Sequence, residues 1–144
     1  MERNIFFDMD GTIADLYGVE GWLADLNAEN ARPYREARPL VNMQRLARRL
    51  NRLQKGGYKI GVITWLAKNS TTDFERETEQ AKRKWLRRHL QSVHFDNIIV
   101  LQYGTPKQEH GKGILFDDEL PNRQAWGEGA YHPDEMFKVL AEVK

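Results

Sequence analysis

Four short and nearly continuous apolar runs are separated along the chain by longer segments with a helical pattern. The runs cover residues 4–7, 58–63, 97–101 and 113–116. Runs of this length without polar alternation are typical of strands that are buried on both faces, as in a parallel sheet covered by helices. The sequence therefore predicts an α/β fold built on a parallel sheet.

Three helices are predicted in the segments between and after these runs. In the first two, side chains recur at steps of three and four, and glycines at 56 and 57 end the first helix. A third helix is predicted to begin at Pro133. The recurring positions are Leu40, Met43, Leu46, Ala47, Leu50 and Leu53 in the first helix, and Phe74, Thr78, Ala81 and Trp85 in the second. Alternating strands and helices favour a doubly wound, Rossmann-like sheet.

The length of 144 residues fits one domain, which we predict to span residues 1–144. Hydrophobic residues make up 40% and charged residues 30% of the chain, as in ordinary globular proteins. The least regular segment is 16–38, between the first strand and the first long helix. A short helix around Trp22, Leu23 and Leu26 is predicted there, and the segment is a candidate small lid.

The chain has no cysteine, which excludes disulfides, thiolate zinc sites and thiol catalysis. The N-terminal residues MERNIFFD are unlike a signal peptide, and no apolar run approaches membrane-spanning length. We therefore expect a cytoplasmic protein without a membrane partner. The net charge of +1 does not predict nucleic-acid binding, and the arginines of the first helix are interpreted as a solvated face. These features do not determine the oligomeric state.

Polar residues follow the predicted strands where each one ends. Asp8 and Asp10 follow the first strand and Thr64 ends the second, while Lys107 lies between the third and fourth strands and Asp117 follows the fourth. Because ligands bind at the carboxyl ends of parallel strands, we expect these side chains to converge. Asp8 and Asp117 would repel each other unless a hard cation lay between them, and carboxylate oxygens suit Mg²⁺. Thr64 and Lys107 would then bind phosphoryl oxygens.

Each of these features alone is common in structural roles, such as turns, helix caps and surface charges. Their combination, in this order and at strand ends, favours a phosphate-processing site. The sequences DMDGT, VIT ending at Thr64, Lys107 and ILFDD resemble the four signature motifs of the haloacid dehalogenase-like hydrolases. The resemblance runs from Asp8 to Asp118 and thus covers most of the chain.

The resemblance implies a fold and a set of roles. Asp8 would be the nucleophile and a metal ligand, and Asp10 the general acid/base whose backbone carbonyl also binds the metal. Thr64 and Lys107 would bind phosphate. Asp117 would complete the Mg²⁺ site, and Asp118 would share that role or act from the second shell by orienting a water. An acid at position 10 is similar to the phosphatases of the superfamily, so the implied activity is hydrolysis of phosphate monoesters through an aspartyl-phosphate.

Within the superfamily, ILFDDELPNRQAW and the spacing from Lys107 to Asp117 are similar to the 5′(3′)-deoxyribonucleotidase-like branch. Those nucleotidases carry a helical cap between the first two motifs, whereas segment 16–38 leaves room for a minimal cap or none. The expected substrate is a small phosphorylated molecule, such as a nucleotide, with Tyr17, Trp22 and Trp65 as candidate base contacts. Two alternatives stay open: a phosphorylated macromolecule as substrate, and a non-catalytic, receiver-like phosphoacceptor module.

Overall fold

A computed structural model describes residues 3–143, and residues 1, 2 and 144 of the predicted domain lie outside the described part. It contains a five-stranded parallel sheet and a two-stranded antiparallel ladder. In chain order the strands are β1 (Asn4–Phe7), β2 (Ala14–Asp15), β3 (Arg38–Pro39), β4 (Lys59–Trp65), β5 (Asn97–Leu101), β6 (Ile114–Phe116) and β7 (Ala130–Tyr131). The large sheet has the order β5-β4-β1-β6-β7, so the chain winds outward in both directions from β1. The predicted doubly wound α/β fold is confirmed.

Six α-helices surround or extend from the sheet among the described residues. They are α1 (Trp22–Asn27), α2 (Arg32–Glu36), α3 (Met43–Lys55), α4 (Thr72–His89), α5 (Leu120–Trp126) and α6 (Met136–Glu142). The first predicted helix begins at Met43 rather than near Leu40, because the Asn42 side chain accepts a 2.9 Å hydrogen bond from the Arg45 amide and caps it. Leu40 lies outside the helix and is exposed. Residues 133–135 form a 3-10 turn before α6.

The two faces of the sheet are covered by different elements. Along β1, Ile5 and Phe7 point into the main core, together with apolar residues of α3, α4 and α6. Phe6 points to the opposite face, where its ring meets Trp126 of α5 edge-on at 6.0 Å. Because side chains alternate along a strand, burial on both faces explains why this run has no polar alternation. The run at 97–101 was predicted to be buried as well, but β5 is an edge strand and its apolar side chains are only partly covered.

Segment 16–38 forms a helical insert next to the carboxyl edge of the sheet. The ladder of β2 with β3 closes its base, pairing Ala14 with Pro39 and Asp15 with Arg38. Tyr34 of α2 packs with Phe74 of α4 in a second apolar cluster. The role of this insert as a lid stays a prediction. Across residues 3–143, none of the helices combines the length and the apolar character needed to cross a bilayer.

Candidate active site

The register of the sheet explains why the acidic residues meet. Phe7 pairs with Val62 on β4 and with Phe116 on β6, so the residues that follow these positions reach the same edge. Asp8 comes directly after β1 and Asp117 directly after β6, and the Asp8 amide donates a 2.9 Å hydrogen bond to the Phe116 carbonyl. Side chains far apart in the sequence are thus brought to one place by the strand order alone.

Lys107 lies between these two carboxylates. It begins a 3-10 turn after β5, and its side chain is 3% exposed. Its ammonium donates to Oδ1 of Asp8 at 3.0 Å and to Oδ2 of Asp117 at 2.8 Å. Burial alone would lower the pKa of Lys107, but the charges of Asp8 and Asp117 outweigh it, so the net shift is upward. Lys107 therefore stays positively charged at neutral pH.

A third carboxylate, that of Asp118, lies close to the two that Lys107 contacts. Oxygen atoms of Asp8, Asp117 and Asp118 all lie within 4.8 Å of one another. Burial and then the charge of Asp8 raise the pKa of Asp117, and the same two causes raise the pKa of Asp118 to about 7. The raised pKa values show that one lysine does not offset the mutual repulsion of these carboxylates, and hard oxygen ligands at this spacing fit a divalent cation such as Mg²⁺.

Gly11 and Thr12 hold this cluster together. Thr12 is fully buried, and its hydroxyl lies within hydrogen-bond distance of Asp8 Oδ2 (3.2 Å) and Asp118 Oδ1 (3.3 Å) while accepting from the Asp118 amide. Gly11 has a φ of +82°, and a β-carbon there would collide with the Asp118 carboxylate. Position 11 therefore requires glycine for steric reasons, and Thr12 supplies the hydrogen bonds that join Asp8 to Asp118.

Both carboxylate oxygens of Asp117 accept hydrogen bonds from residues that follow it in the chain. The Glu119 amide donates to Oδ1 at 2.9 Å, and the Asn122 side chain donates to Oδ2 at 3.2 Å. Both donors come from the start of α5, a helix that lacks an apolar stripe and was missed in the sequence. Because Asp117 accepts from Lys107 as well, its orientation is determined on every side.

Lys82 is the least expected member of the site. It lies in the middle of α4, is 1% exposed, and donates to Asp10 Oδ2 at 2.9 Å, to Thr64 Oγ1 at 2.6 Å and to the Trp65 carbonyl at 2.9 Å. The signal for it was present in the sequence, since Lys82 falls on the same helical face as Thr78 and Trp85. A lysine on a helical face that packs against a sheet needs partners, and that pattern could have identified it.

A cleft of about 600 Å³ opens above these side chains. Asp8, Asp10 and Lys107 are among its lining residues, and Asp8 and Lys107 are buried. Aromatic rings form much of the remaining wall, namely Tyr17, Trp22, Tyr34, Trp65 and Tyr103. Trp65 and Tyr103 lie 5.1 Å apart between ring centroids, and the rings of Tyr17 and Tyr103 are about half exposed, at 48% and 50%. The cleft therefore combines buried charged groups with a partly exposed aromatic wall, and the exposed Lys68 and Glu119 also line it.

The predicted site residues all lie in this region. The chain brings together Asp8, Asp10, Thr64, Lys107, Asp117 and Asp118, and Tyr17, Trp22 and Trp65 line the cleft. Their roles in catalysis, metal binding and substrate contact stay predictions. Sequence reasoning missed Lys82, Asn122, Tyr34 and Tyr103, and did not assign a role to Thr12.

No protein-family model and no curated protein sequence matches the chain. Among solved structures, the fold is similar to that of a D,D-heptose 1,7-bisphosphate phosphatase from Burkholderia thailandensis. The TM-score is 0.52 and the identity 18%, over 87% of this chain and 72% of that one. At this identity the likeness concerns the fold. The haloacid dehalogenase-like fold is confirmed, and the nucleotidase-like branch stays a prediction.

Proposed function

We propose that the chain is a magnesium-dependent phosphatase that hydrolyses small phosphate monoesters through an aspartyl-phosphate on Asp8. The observation that carries this proposal is the setting of the Asp8 carboxylate. This carboxylate is buried and lines the cleft, and one of its oxygens accepts from Lys107 while the other lies beside Thr12. A carboxylate held in one orientation in a cleft is suited to nucleophilic attack.

In the first step the Asp8 carboxylate attacks phosphorus, and the bond from phosphorus to the leaving oxygen breaks. Asp10, which also lines the cleft, gives its proton to that oxygen. In the second step Asp10 takes a proton from a water that attacks the phosphorus of the aspartyl-phosphate. The bond to Asp8 then breaks and inorganic phosphate leaves. Thr64 and Lys107 donate to phosphoryl oxygens in both steps.

The carboxylates of Asp8 and Asp117 and the backbone carbonyl of Asp10 would hold Mg²⁺, with Asp118 as a further ligand or as an acceptor for a bound water. The cation would offset the negative charge of the carboxylates and of the phosphoryl group. The crowding of three carboxylate oxygens within 4.8 Å supports this assignment. Without a cation, the cluster would repel a phosphate dianion.

The aromatic residues in the cleft wall support an ester whose leaving group carries a flat or apolar part. Tyr17 and Trp65 are the proposed contacts, and a nucleotide is one substrate that combines such a group with a phosphate. A phosphorylated macromolecule is the second candidate, favoured by the half-exposed rings of the cleft wall. The receiver-like alternative is disfavoured because Asp10 lies in the cleft beside Asp8, where it can catalyse release of the phosphate.

The test is a phosphatase screen over nucleotides, sugar phosphates and phosphopeptides, each with and without Mg²⁺. We expect multiple turnovers with at least one small ester in the presence of Mg²⁺. A single phosphorylation event without turnover would favour the phosphoacceptor module instead. Activity on phosphopeptides with none on small esters would favour the macromolecular substrate.

A further inference from the structure

Lys82 is buried in the protein and has more polar contacts than an ion pair with Asp10 alone. Its side chain is 1% exposed, and its ammonium contacts three oxygens, belonging to Asp10, Thr64 and the Trp65 backbone. An ammonium has three protons, so each proton has one acceptor. The ring of Tyr34 lies 5.0 Å from the same nitrogen and covers it from the side of the insert.

The fold alone does not explain a lysine at this position. Burying an ammonium is costly even when it is paired, whereas an apolar side chain on this buried face of α4, which also carries Thr78 and Trp85, would avoid that cost. The contacts of Lys82 instead join two groups that the proposed reaction uses. Asp10 comes from the loop after β1 and Thr64 from β4, and Lys82 bridges them.

The contacts with Lys82 determine which hydrogen-bonding groups of Thr64 and Asp10 remain available. An ammonium only donates, so the Thr64 hydroxyl must accept from Lys82 and its own proton remains to be donated to another acceptor. Thr64 is fully buried, and in the proposed reaction that acceptor is a phosphoryl oxygen. Lys82 also engages only Oδ2 of Asp10, whose side chain is 17% exposed and lines the cleft. The second oxygen of Asp10 is left for proton transfer.

We propose that Lys82 is a positioning residue that orients the acid/base carboxylate of Asp10 and the phosphate-binding hydroxyl of Thr64 relative to each other. It acts through these two groups and does not touch the substrate. This role rests on the proposed phosphatase function. It predicts that loss of Lys82 resembles partial loss of Asp10 rather than a general weakening of the fold.

The first experiment compares Lys82→Met with Lys84→Met. Met keeps most of the side-chain length and removes the charge, and Lys84 is an exposed lysine on the same helix. With an alkyl phosphate and Mg²⁺, Lys82→Met should lower kcat on the order of 100-fold, since displaced catalytic groups lose about that much. With the aryl ester p-nitrophenyl phosphate, the rate of the first step should fall less, and phosphate should accumulate on Asp8. Lys84→Met should stay within about twofold of the wild type.

The second experiment is a double-mutant cycle. If Lys82 acts through Asp10 and Thr64, Lys82→Met should cost several-fold less in an Asp10→Asn background, and less in a Thr64→Val background, than in the wild type. A merely structural role would lower activity by the same factor in all three backgrounds. Unfolding midpoints measured for every variant separate loss of fold from loss of orientation.

A variant with a smaller side chain provides a second test if Lys82→Met folds poorly. Lys82→Ala leaves space for an added alkylammonium, so ethylammonium should restore part of the activity, whereas tetramethylammonium, which cannot donate hydrogen bonds, should not. Non-additive cycles or this selective rescue would support the proposal. Equal losses in all backgrounds without rescue, or unfolding of both variants, would overturn it while the phosphatase function stands. A wild type inactive on every ester would overturn the proposed function first, and the role of Lys82 with it.

Discussion

The Lys107 ammonium donates a 3.0 Å hydrogen bond to Asp8, a residue 99 positions earlier in the chain. The contact is buried, and it orients the carboxylate that we propose as the nucleophile. A phosphoryl group bonded to that carboxylate would come within reach of the same ammonium. One lysine thus supports both the free and the phosphorylated form of Asp8.

Replacing the proposed nucleophile tests the chemistry directly. Asp8→Asn should remain folded, because the amide has nearly the same shape, but turnover should be lost since an amide cannot act as the attacking group. Mass spectrometry of protein quenched during turnover should find phosphate on the peptide containing Asp8 in the wild type and not in the variant. Turnover near the wild-type rate in Asp8→Asn would assign the attack to another residue.

Lys107 and Lys112 form a matched pair, since one is buried in the cluster and the other is exposed five positions later. Lys107→Met should lower kcat/KM on the order of 100-fold or more, because a preorganised charge contact is removed. It should also lower the free energy of unfolding, since two buried carboxylates lose their cation. Lys112→Met should change neither quantity. The opposite pattern in steady-state kinetics would reverse the assignment.

Much of the site is predictable because ligands bind at the carboxyl ends of parallel strands. Asp8, Thr64 and Asp117 each end or follow an apolar run, and strand order then places them together. Lys107 is predicted from its place in the connection after the third strand and from the motif resemblance, because a side chain in a connection has no periodicity to mark it. The two-residue strand β7 and helix α5 were missed, since neither carries a buried apolar pattern.

Lys82 and Tyr34 escaped prediction for a different reason. Their position in the site depends on how α4 and α2 pack over the sheet edge, and helical periodicity marks Lys82 as buried without showing which groups it meets. A polar residue on a buried helical face indicates that a partner exists, yet does not say which one. The fold could therefore be predicted from periodicity, whereas the hydrogen-bond network around Asp10 required the structure.

Binding of Mg²⁺ should depend on pH through Asp118. In the metal-free protein the pKa of Asp118 is raised from 3.8 to about 7, chiefly by burial and then by Asp8. The folded state thus holds this proton more tightly than the unfolded chain, so its stabilising contribution is present below about pH 3.8 and is lost as pH rises through 7. Mg²⁺ competes with that proton, so the rise in melting temperature on adding Mg²⁺ should be larger at pH 8 than at pH 5.5.

Thermal unfolding with Mg²⁺ or with a chelator at the two pH values measures this effect, and activity should be lost in the chelator. Asp118→Asn provides the control, because its response to Mg²⁺ should vary less with pH. Full activity after exhaustive chelation would contradict the metal assignment. An equal thermal shift at both pH values would show that Asp118 does not exchange a proton for the cation.

The aromatic wall of the cleft should affect binding more than chemistry. Tyr17→Ala should raise KM for esters with a flat leaving group by several-fold and leave kcat nearly unchanged, because a stacking contact is lost equally before and during the reaction. For a small alkyl phosphate the same variant should behave like the wild type. Leu40→Ala, which removes an exposed apolar side chain outside the cleft lining, is the control. A change in kcat alone would place Tyr17 in the chemical step.

Asp10 should affect the two steps of the reaction differently, since we propose that it first gives a proton to the leaving oxygen and then takes one from water. An alkoxide needs that proton, so Asp10→Asn should block phosphorylation of Asp8 by an alkyl phosphate. Nitrophenolate leaves with little help, so with p-nitrophenyl phosphate the first step should survive while hydrolysis of the aspartyl-phosphate slows. Rapid-quench kinetics should then show a burst of nitrophenol and phosphate retained on the peptide containing Asp8. Equal slowing of alkyl and aryl esters, without a phosphorylated protein, would assign the proton transfers to another group.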